Sequence, residues 1–263
     1  MGKLMTGQRN KKKERGQGLL SLGILVLLVL LWQVLVSVGK VPPYILPAPS
    51  QVFQALYQER NLLFTHTLVT LGEALSGFGI AVFLGALLGL LMGFYEPLRK
   101  ALYPLFVLTQ AIPLIILAPL FAIWFGFGFL PKLLIVVLVC FFPVAVTFTQ
   151  GLVRADEDLD QLLKVMGASK WKAFLVARVP QALPGLFSGI KLAATYSVMG
   201  AVLSEWVGAQ KGLGIFMTRA MTSFKTPVLF ADVLVIVALS LGIYKLVEIV
   251  ERRITKYIQN TDL

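Results

Sequence analysis

Apolar runs of about the length needed to cross a bilayer follow one another along this chain, and most charges are gathered in the breaks between them. A helix needs roughly 20 apolar residues to span the hydrocarbon core. In lipid the backbone of such a run must satisfy its polar groups internally, which a helix does. Hydrophobic residues make up 57% of the chain and charged residues 14%, against about 25% charged in a soluble domain. The chain therefore reads as an all-α membrane protein rather than one or two soluble domains.

The runs fall at about 19–38, 64–94, 98–125, 132–152, 183–207 and 228–250, which predicts six transmembrane helices. The first follows a basic stretch with Lys3, Arg9, Lys11, Lys12, Lys13 and Arg15. Its length exceeds a normal signal core and no small-residue cleavage motif follows, so it is read as a membrane helix. Four prolines between 42 and 49 exclude a helix there, and Ser50 is placed to cap a short helix through about Gln58. The expected organisation is a cytoplasmic basic tail over 1–17, a transmembrane domain over 18–255 with a polar element at 154–182, and a cytoplasmic tail over 256–263.

Six spans put both ends on one side. Under that topology 17 of the 24 Lys and Arg lie on the side of the termini, six lie opposite, and Lys191 falls inside the fifth span. The positive-inside rule then places both termini and the 154–178 stretch in the cytoplasm. The same asymmetry accounts for the net charge of +11 without nucleic acid as a partner.

Catalytic and metal chemistry find little to work with. One cysteine, Cys140, and one histidine, His66, argue against a cysteine- or histidine-built metal site. The sequence has no phosphate-binding loop, no nucleophile–base set and no paired carboxylates. GAQKGLG lacks the Gly-Lys-Ser/Thr ending and the preceding strand. No cofactor, metal or enzymatic activity is expected of this chain.

Several intramembrane features remain. Gly77, Ala81, Gly85, Gly89 and Gly93 recur every four residues on the second span, a face that another helix, in this chain or a second copy, can approach closely. Pro113 and Pro119 leave carbonyls without partners, as a static kink or as the lining of a path. Glu73 lies about two turns into the second span, where it contacts substrate, pairs with a lysine or lies near the outer interface, and Glu205 closes the fifth span at the outer interface, as a gate or substrate contact or as an ordinary interfacial residue. Lys191 is close enough to the fifth span's end to snorkel outward.

The stretch RADEDLDQLLKVMGASKWKAFLVARVPQALPG, residues 154–185, is a polar interruption with charges of both signs. Leu159, Leu162, Leu163 and Met166 recur at helical spacing, as do Trp171, Phe174 and Leu175. Two short amphipathic helices meeting at Gly167 follow, a protrusion suited to touching a soluble partner. Gly167 and Pro180 resemble the EAA loop of ABC importer permeases, whose pattern is Glu-Ala-Ala, three residues, Gly, nine residues, an aliphatic residue, one residue and Leu-Pro. Gln161, Leu162 and Leu163 occupy the Glu-Ala-Ala positions here, and Ala177 and Val179 the aliphatic and leucine positions. VPPYILPAPSQVF, GFGIAVFLGALLGLLMG, IPLIILAPLFAIWFGFG and SEWVGAQKGLG extend the resemblance over about 20–255, to the nitrate/sulfonate/taurine branch. That branch also holds permeases for thiamine precursors of the hydroxymethylpyrimidine type, to which the sequence is most similar.

The resemblance implies a type I importer permease fold with cytoplasmic coupling helices. It implies two permease copies, two cytoplasmic ATPases and an extracytoplasmic substrate-binding protein. Gln161, Leu162, Leu163, Met166, Gly167, Ala168, Ser169 and Pro180 would form the ATPase-coupling element. Glu73, Pro113, Pro119 and Glu205 stand as substrate-path candidates. An ion-coupled secondary transporter is the competing expectation, with Glu73 and Lys191 as its candidate coupling groups.

Overall fold

The computed structural model describes residues 20 and 23–261. The basic tail at 1–17, the start of the first apolar run and the last two residues of the C-terminal tail lie outside these residues. Every regular element among the described residues is helical. Four continuous helices are long and apolar enough to cross a membrane: α3 (Arg60–Phe94), α6 (Phe129–Val153), Lys170–Glu205, and Thr226–Lys256 within α11 (Thr226–Thr261). The third apolar run instead divides into α4 (Glu96–Gln110) and α5 (Leu114–Phe125), which meet at 98° and form one broken span if taken together. The first run is a shorter apolar helix, α1 (Gly23–Val38). Thus four continuous helices and one broken pair stand where five of the six crossings were expected, and α1 is about 24 Å long by helix rise.

Contacts divide the described residues into two compact units, one running up to Arg60 and joined by Ala220–Ala231, the other made of Asn61–Arg219 and the chain from Asp232 onward. In the first, α2 (Pro49–Gln58) packs Val52 and Ala55 on Ala231, with Trp32, Leu56, Val228 and Phe230 around them. Ser50 does not cap α2. Pro49 opens the helix, where its missing N–H costs nothing. Ala48 is the cap residue, and its N–H donates to Gln51 Oε1 at 2.9 Å. Ser50 sits inside the helix and donates its N–H to Gln33 Oε1 at 3.1 Å.

The second unit holds the glycine face. Gly77 lies over Val136, Gly85 over Phe141 and Val144, Gly89 over Ala145 and Phe148, and Gly93 over Leu152. The stripe is therefore covered by α6 of the same chain. The other face of α6 takes α9 (Val179–Glu205), where Gly151 meets Ala182 and Gly185 and Gly189 rest on the Thr147 and Pro143 backbone. Small residues on both helices let backbones approach, which is how helices associate without a hydrophobic driving force. Cys140 is buried in this contact and its thiol donates to the Ala193 carbonyl at 3.2 Å. The Lys191 ammonium is 2.8 Å from the Glu251 carboxylate on α11, at the end of the sixth apolar run.

Candidate functional site

The polar interruption forms the first short helix and the glycine turn that its spacing predicts, but the second helix is not short: it is the start of the continuous helix Lys170–Glu205. α6 ends at Val153, and the Asp156 N–H donates to Gln181 Oε1 at 2.9 Å, which ties the returning strand of chain to α9. α7 (Glu157–Val165) follows. It closes with Ala168 N–H donating to the Leu163 carbonyl at 2.9 Å around Gly167, whose φ is +84°. This is the six-to-one bond of a Schellman cap, in which a left-handed glycine turns the chain out of the helix. Ser169 then caps α8 (Lys170–Ala173) by accepting from Lys172 N–H at 3.3 Å.

α8 runs into α9 through a π-helical turn, Phe174–Arg178, closed by Val179 N–H donating to the Phe174 carbonyl. Pro180 follows directly and has no N–H to give, so the carbonyls one turn earlier lose a regular partner and the widened turn absorbs the defect. The Phe94 ring at the end of α3 meets Trp171 at 4.8 Å and Phe174 at 5.1 Å, both edge-on. That aromatic cluster seats the protrusion on the bundle. The rest of its apolar surface is bare: Leu162, Val165 and Met166 are 55%, 86% and 74% exposed. Gln161, Ser169 and Pro180 are also exposed, and Leu163 and Ala168 are half-buried.

Glu73 and Glu205 belong to a different place, an interior polar network. His66, Thr70 and Glu73 lie four and three residues apart and share one face of α3. Thr70 Oγ1 donates to Glu205 Oε1 at 2.6 Å, and Gly214 N–H donates to Glu205 Oε2 at 2.5 Å. Leu213 N–H donates to Thr70 Oγ1 at 2.8 Å and Gly212 N–H to His66 Nδ1 at 2.9 Å. Glu205, wholly buried, thus satisfies the first turn of α10 (Leu213–Thr222), where an anion meets free N–H groups and the positive end of the helix dipole. Gly212 has φ +127°, and a Cβ there would run into the Glu205 carboxylate. Glu73 Oε1 is 2.6 Å from Lys132 Nζ on α6, and both side chains are largely buried. Of the expectations for Glu73, the structure displays the pairing with a lysine, and Glu205 is held by Thr70 and the start of α10. The spacing of His66, Thr70 and Glu73 was the available signal for this face.

Pro113 stands at the break between α4 and α5, and Pro119 lies inside α5 without interrupting it. Beside the break is a cavity of about 300 Å³ lined by Thr109, Gln110, Phe142, Tyr196 and Met199 among others. No charged residue lines it among the described residues. Glu73 and Glu205 are not part of its lining. One carboxylate escaped the sequence reading altogether. Asp232 on α11 is wholly buried, and neither oxygen has a hydrogen-bond partner among the described residues.

The family model of the binding-protein-dependent transport system inner membrane component matches residues 81–256. A probable ABC transporter permease protein of Haemophilus influenzae is 36% identical over 84% of this chain and 90% of its own. A formylaminopyrimidine transport permease protein of Halalkalibacterium halodurans is 38% identical over 80% of this chain and 84% of its own. Permeases named for riboflavin in Chloroflexus aurantiacus, aliphatic sulfonates in Bacillus subtilis and taurine in Escherichia coli are 32%, 28% and 27% identical. They align over 89%, 88% and 90% of this chain and 88%, 84% and 89% of theirs. The crystal structure of an amino acid ABC transporter with histidines superposes with a TM-score of 0.62 at 17% identity, over 76% of this chain and 98% of that one, which supports the fold. With a family model covering most of its helices and relatives above 30% identity over most of its length, the chain belongs to the binding-protein-dependent transport system inner membrane components, the permeases of ABC importers.

Proposed function

We propose that this permease carries a neutral heteroaromatic solute, of the pyrimidine type used as a thiamine precursor, through a dimer of two identical copies driven by a cytoplasmic ATPase. An extracytoplasmic binding protein delivers the solute, and the 154–182 element receives the ATPase. The observation that carries the coupling role is the bare apolar face of Leu162, Val165 and Met166, held outward by the Gly167 turn and anchored behind by Phe94, Trp171 and Phe174. Burying such residues against a partner is worth about 1.5–3 kcal/mol per fully covered side chain. In this reading Gln161, Leu162, Leu163, Met166, Ala168 and Ser169 form the seat, and the charge asymmetry puts it in the cytoplasm with both termini.

The substrate class is supported by the lining of the cavity at the broken span. Gln110 and Tyr196 offer hydrogen bonds, Phe142 and Met199 offer apolar surface, and none of the described lining residues is cationic. An alkylsulfonate or nitrate anion passing such a wall has no counter-charge, which is costly at membrane depth. A ring with amide-like edges can be matched there. In this proposal Pro113 shapes the path directly, while Glu73, Pro119 and Glu205 hold the helices that bound it.

The test is ATP-dependent uptake in proteoliposomes containing the permease, its ATPase and its binding protein. Labelled hydroxymethylpyrimidine or formylaminopyrimidine should accumulate, and an alkylsulfonate should not. Uptake of the sulfonate alone would reject the substrate class and leave the coupling assignment standing. A second reading, ion-coupled secondary transport, is favoured by one observation, the unpartnered Asp232, since an ionisable group in a membrane helix is a natural ion or proton site. Asp232→Asn should leave ATP-driven uptake intact. Loss of uptake in that variant, together with transport driven by an ion gradient without ATP, would support the second reading.

A further inference from the structure

At the membrane end where the protrusion begins, a cavity of about 410 Å³ lies between the start of α4 and the end of α6. Arg99, Lys100 and Arg154 stand around it, and no acidic residue lines it among the described residues. Lys100 is engaged by Glu96 at 2.9 Å on the exposed surface. Arg99 and Arg154 make no ion pair among the described residues. The wall below these cations carries the Tyr103 ring, Pro104 and Val153. Gln150 Nε2 donates to the Tyr103 hydroxyl at 2.9 Å and bridges the two helices beside the cavity. That bridge matters because α4 has no buried residue of its own.

A cavity with two guanidinium groups at its mouth that make no ion pair among the described residues, and an apolar wall beneath, fits a ligand that is phosphate at one end and hydrocarbon at the other. Guanidinium forks match phosphate oxygens two at a time. Basic pockets between transmembrane helices on the cytoplasmic side are suited to anionic lipid headgroups, and that leaflet supplies them. We propose that this cavity holds the headgroup phosphate of an anionic phospholipid, which clamps α4 to α6 where the 154–182 element begins. Arg154 caps the C-terminus of α6 and opens the protrusion, so lipid occupancy would bear on ATP coupling. The proposal rests on the permease orientation given above.

Native mass spectrometry of the intact permease–ATPase complex in neutral detergent tests it, with cardiolipin, phosphatidylglycerol, phosphatidylcholine or inorganic phosphate added. One anionic lipid per permease chain should survive, phosphatidylcholine should not, and millimolar phosphate should not displace it. Replacing both arginines (Arg99→Gln with Arg154→Gln) should weaken retention about 25-fold, taking about fivefold for each cation near an anionic surface. Removing two cations from the exposed end of α11 (Arg252→Gln with Arg253→Gln) should leave it unchanged. The same spectra report whether each variant assembles. Equal lipid retention in the Arg99/Arg154 variant overturns the proposal. So does binding of phosphate alone with displacement of the lipid, which would make the cavity a soluble-anion site. Loss of the ATPase with lipid retention intact would make these arginines a subunit contact and overturn it as well.

Discussion

Gly167 offers a test in which the size of the effect can be worked from the backbone alone. Its φ is +84°, and a Cβ built there meets nothing within 4 Å. A side chain therefore has room, and the cost of a substitution is conformational rather than steric. An ordinary L-residue in the left-handed region costs about 1–2 kcal/mol, and asparagine and aspartate cost less because their short polar side chains bond locally. One to two kcal/mol changes the population of the turn by roughly 5–30-fold. ATP-dependent uptake in proteoliposomes should then fall in the order Gly167→Asn, Gly167→Ala, Gly167→Val, with the alanine variant reduced up to that factor and the asparagine variant less. Gly167→Asp matches asparagine in backbone preference, so any further loss in that variant measures the effect of a negative charge against the ATPase. All variants should insert normally, because the turn lies outside the helix contacts. Wild-type uptake in the valine variant, or an asparagine variant worse than alanine, would refute the argument.

Lys132→Ala leaves Glu73 buried without its counter-ion and should cost about 3–5 kcal/mol. Thermal unfolding in detergent checks this, and adding Glu73→Gln should recover most of the loss; no recovery would mean that the pair is not the source. Gly189→Val should separate α9 from α6, since even its Cβ would overlap Thr147 Oγ1 and lie 2.7 Å from the Pro143 carbonyl. The expected loss is about 1–3 kcal/mol or more. Gly79→Val, where nothing lies within 4 Å, is the matched control and should unfold at nearly the wild-type temperature.

The parts of this fold that depend on local pattern were legible in the sequence. Apolar length located the long helices and Gly167 marked the turn, whereas the prolines of the third run signalled a kink or break without saying that Pro113, rather than Pro104 or Pro119, would stand at it. The four-residue glycine repeat announced a close helix contact but not its partner, since any small-residue face satisfies the same rule. The complement was supplied by α6, whose Val136, Val144, Phe148 and Leu152 recur at four- and eight-residue intervals. The polar network was less accessible. Thr70 and Glu205 are 135 residues apart, and nothing local says that an acidic residue ending one helix will cap another. Lys132 counted as a loop charge becomes the partner of a buried glutamate only once α3 and α6 are packed. Asp232 sits in a run apolar enough to look uniform, and its isolation is visible only in three dimensions.

The continuous helix from Lys170 to Glu205 has 36 residues and is about 54 Å long at 1.5 Å per residue. Its two ends do different jobs, with Trp171 near the bare seat and Glu205 holding the start of α10. A rod of that length turns angle into travel: pivoting by 10° about one end moves the other by about 9 Å. The π turn at Phe174–Arg178 lies close to the seat, so the arms on its two sides are very unequal. A small push on the short arm is then geared into a large sweep of the long one. The helix can work as a mechanical lever, with its fulcrum built from the place where Pro180 breaks the hydrogen-bond ladder.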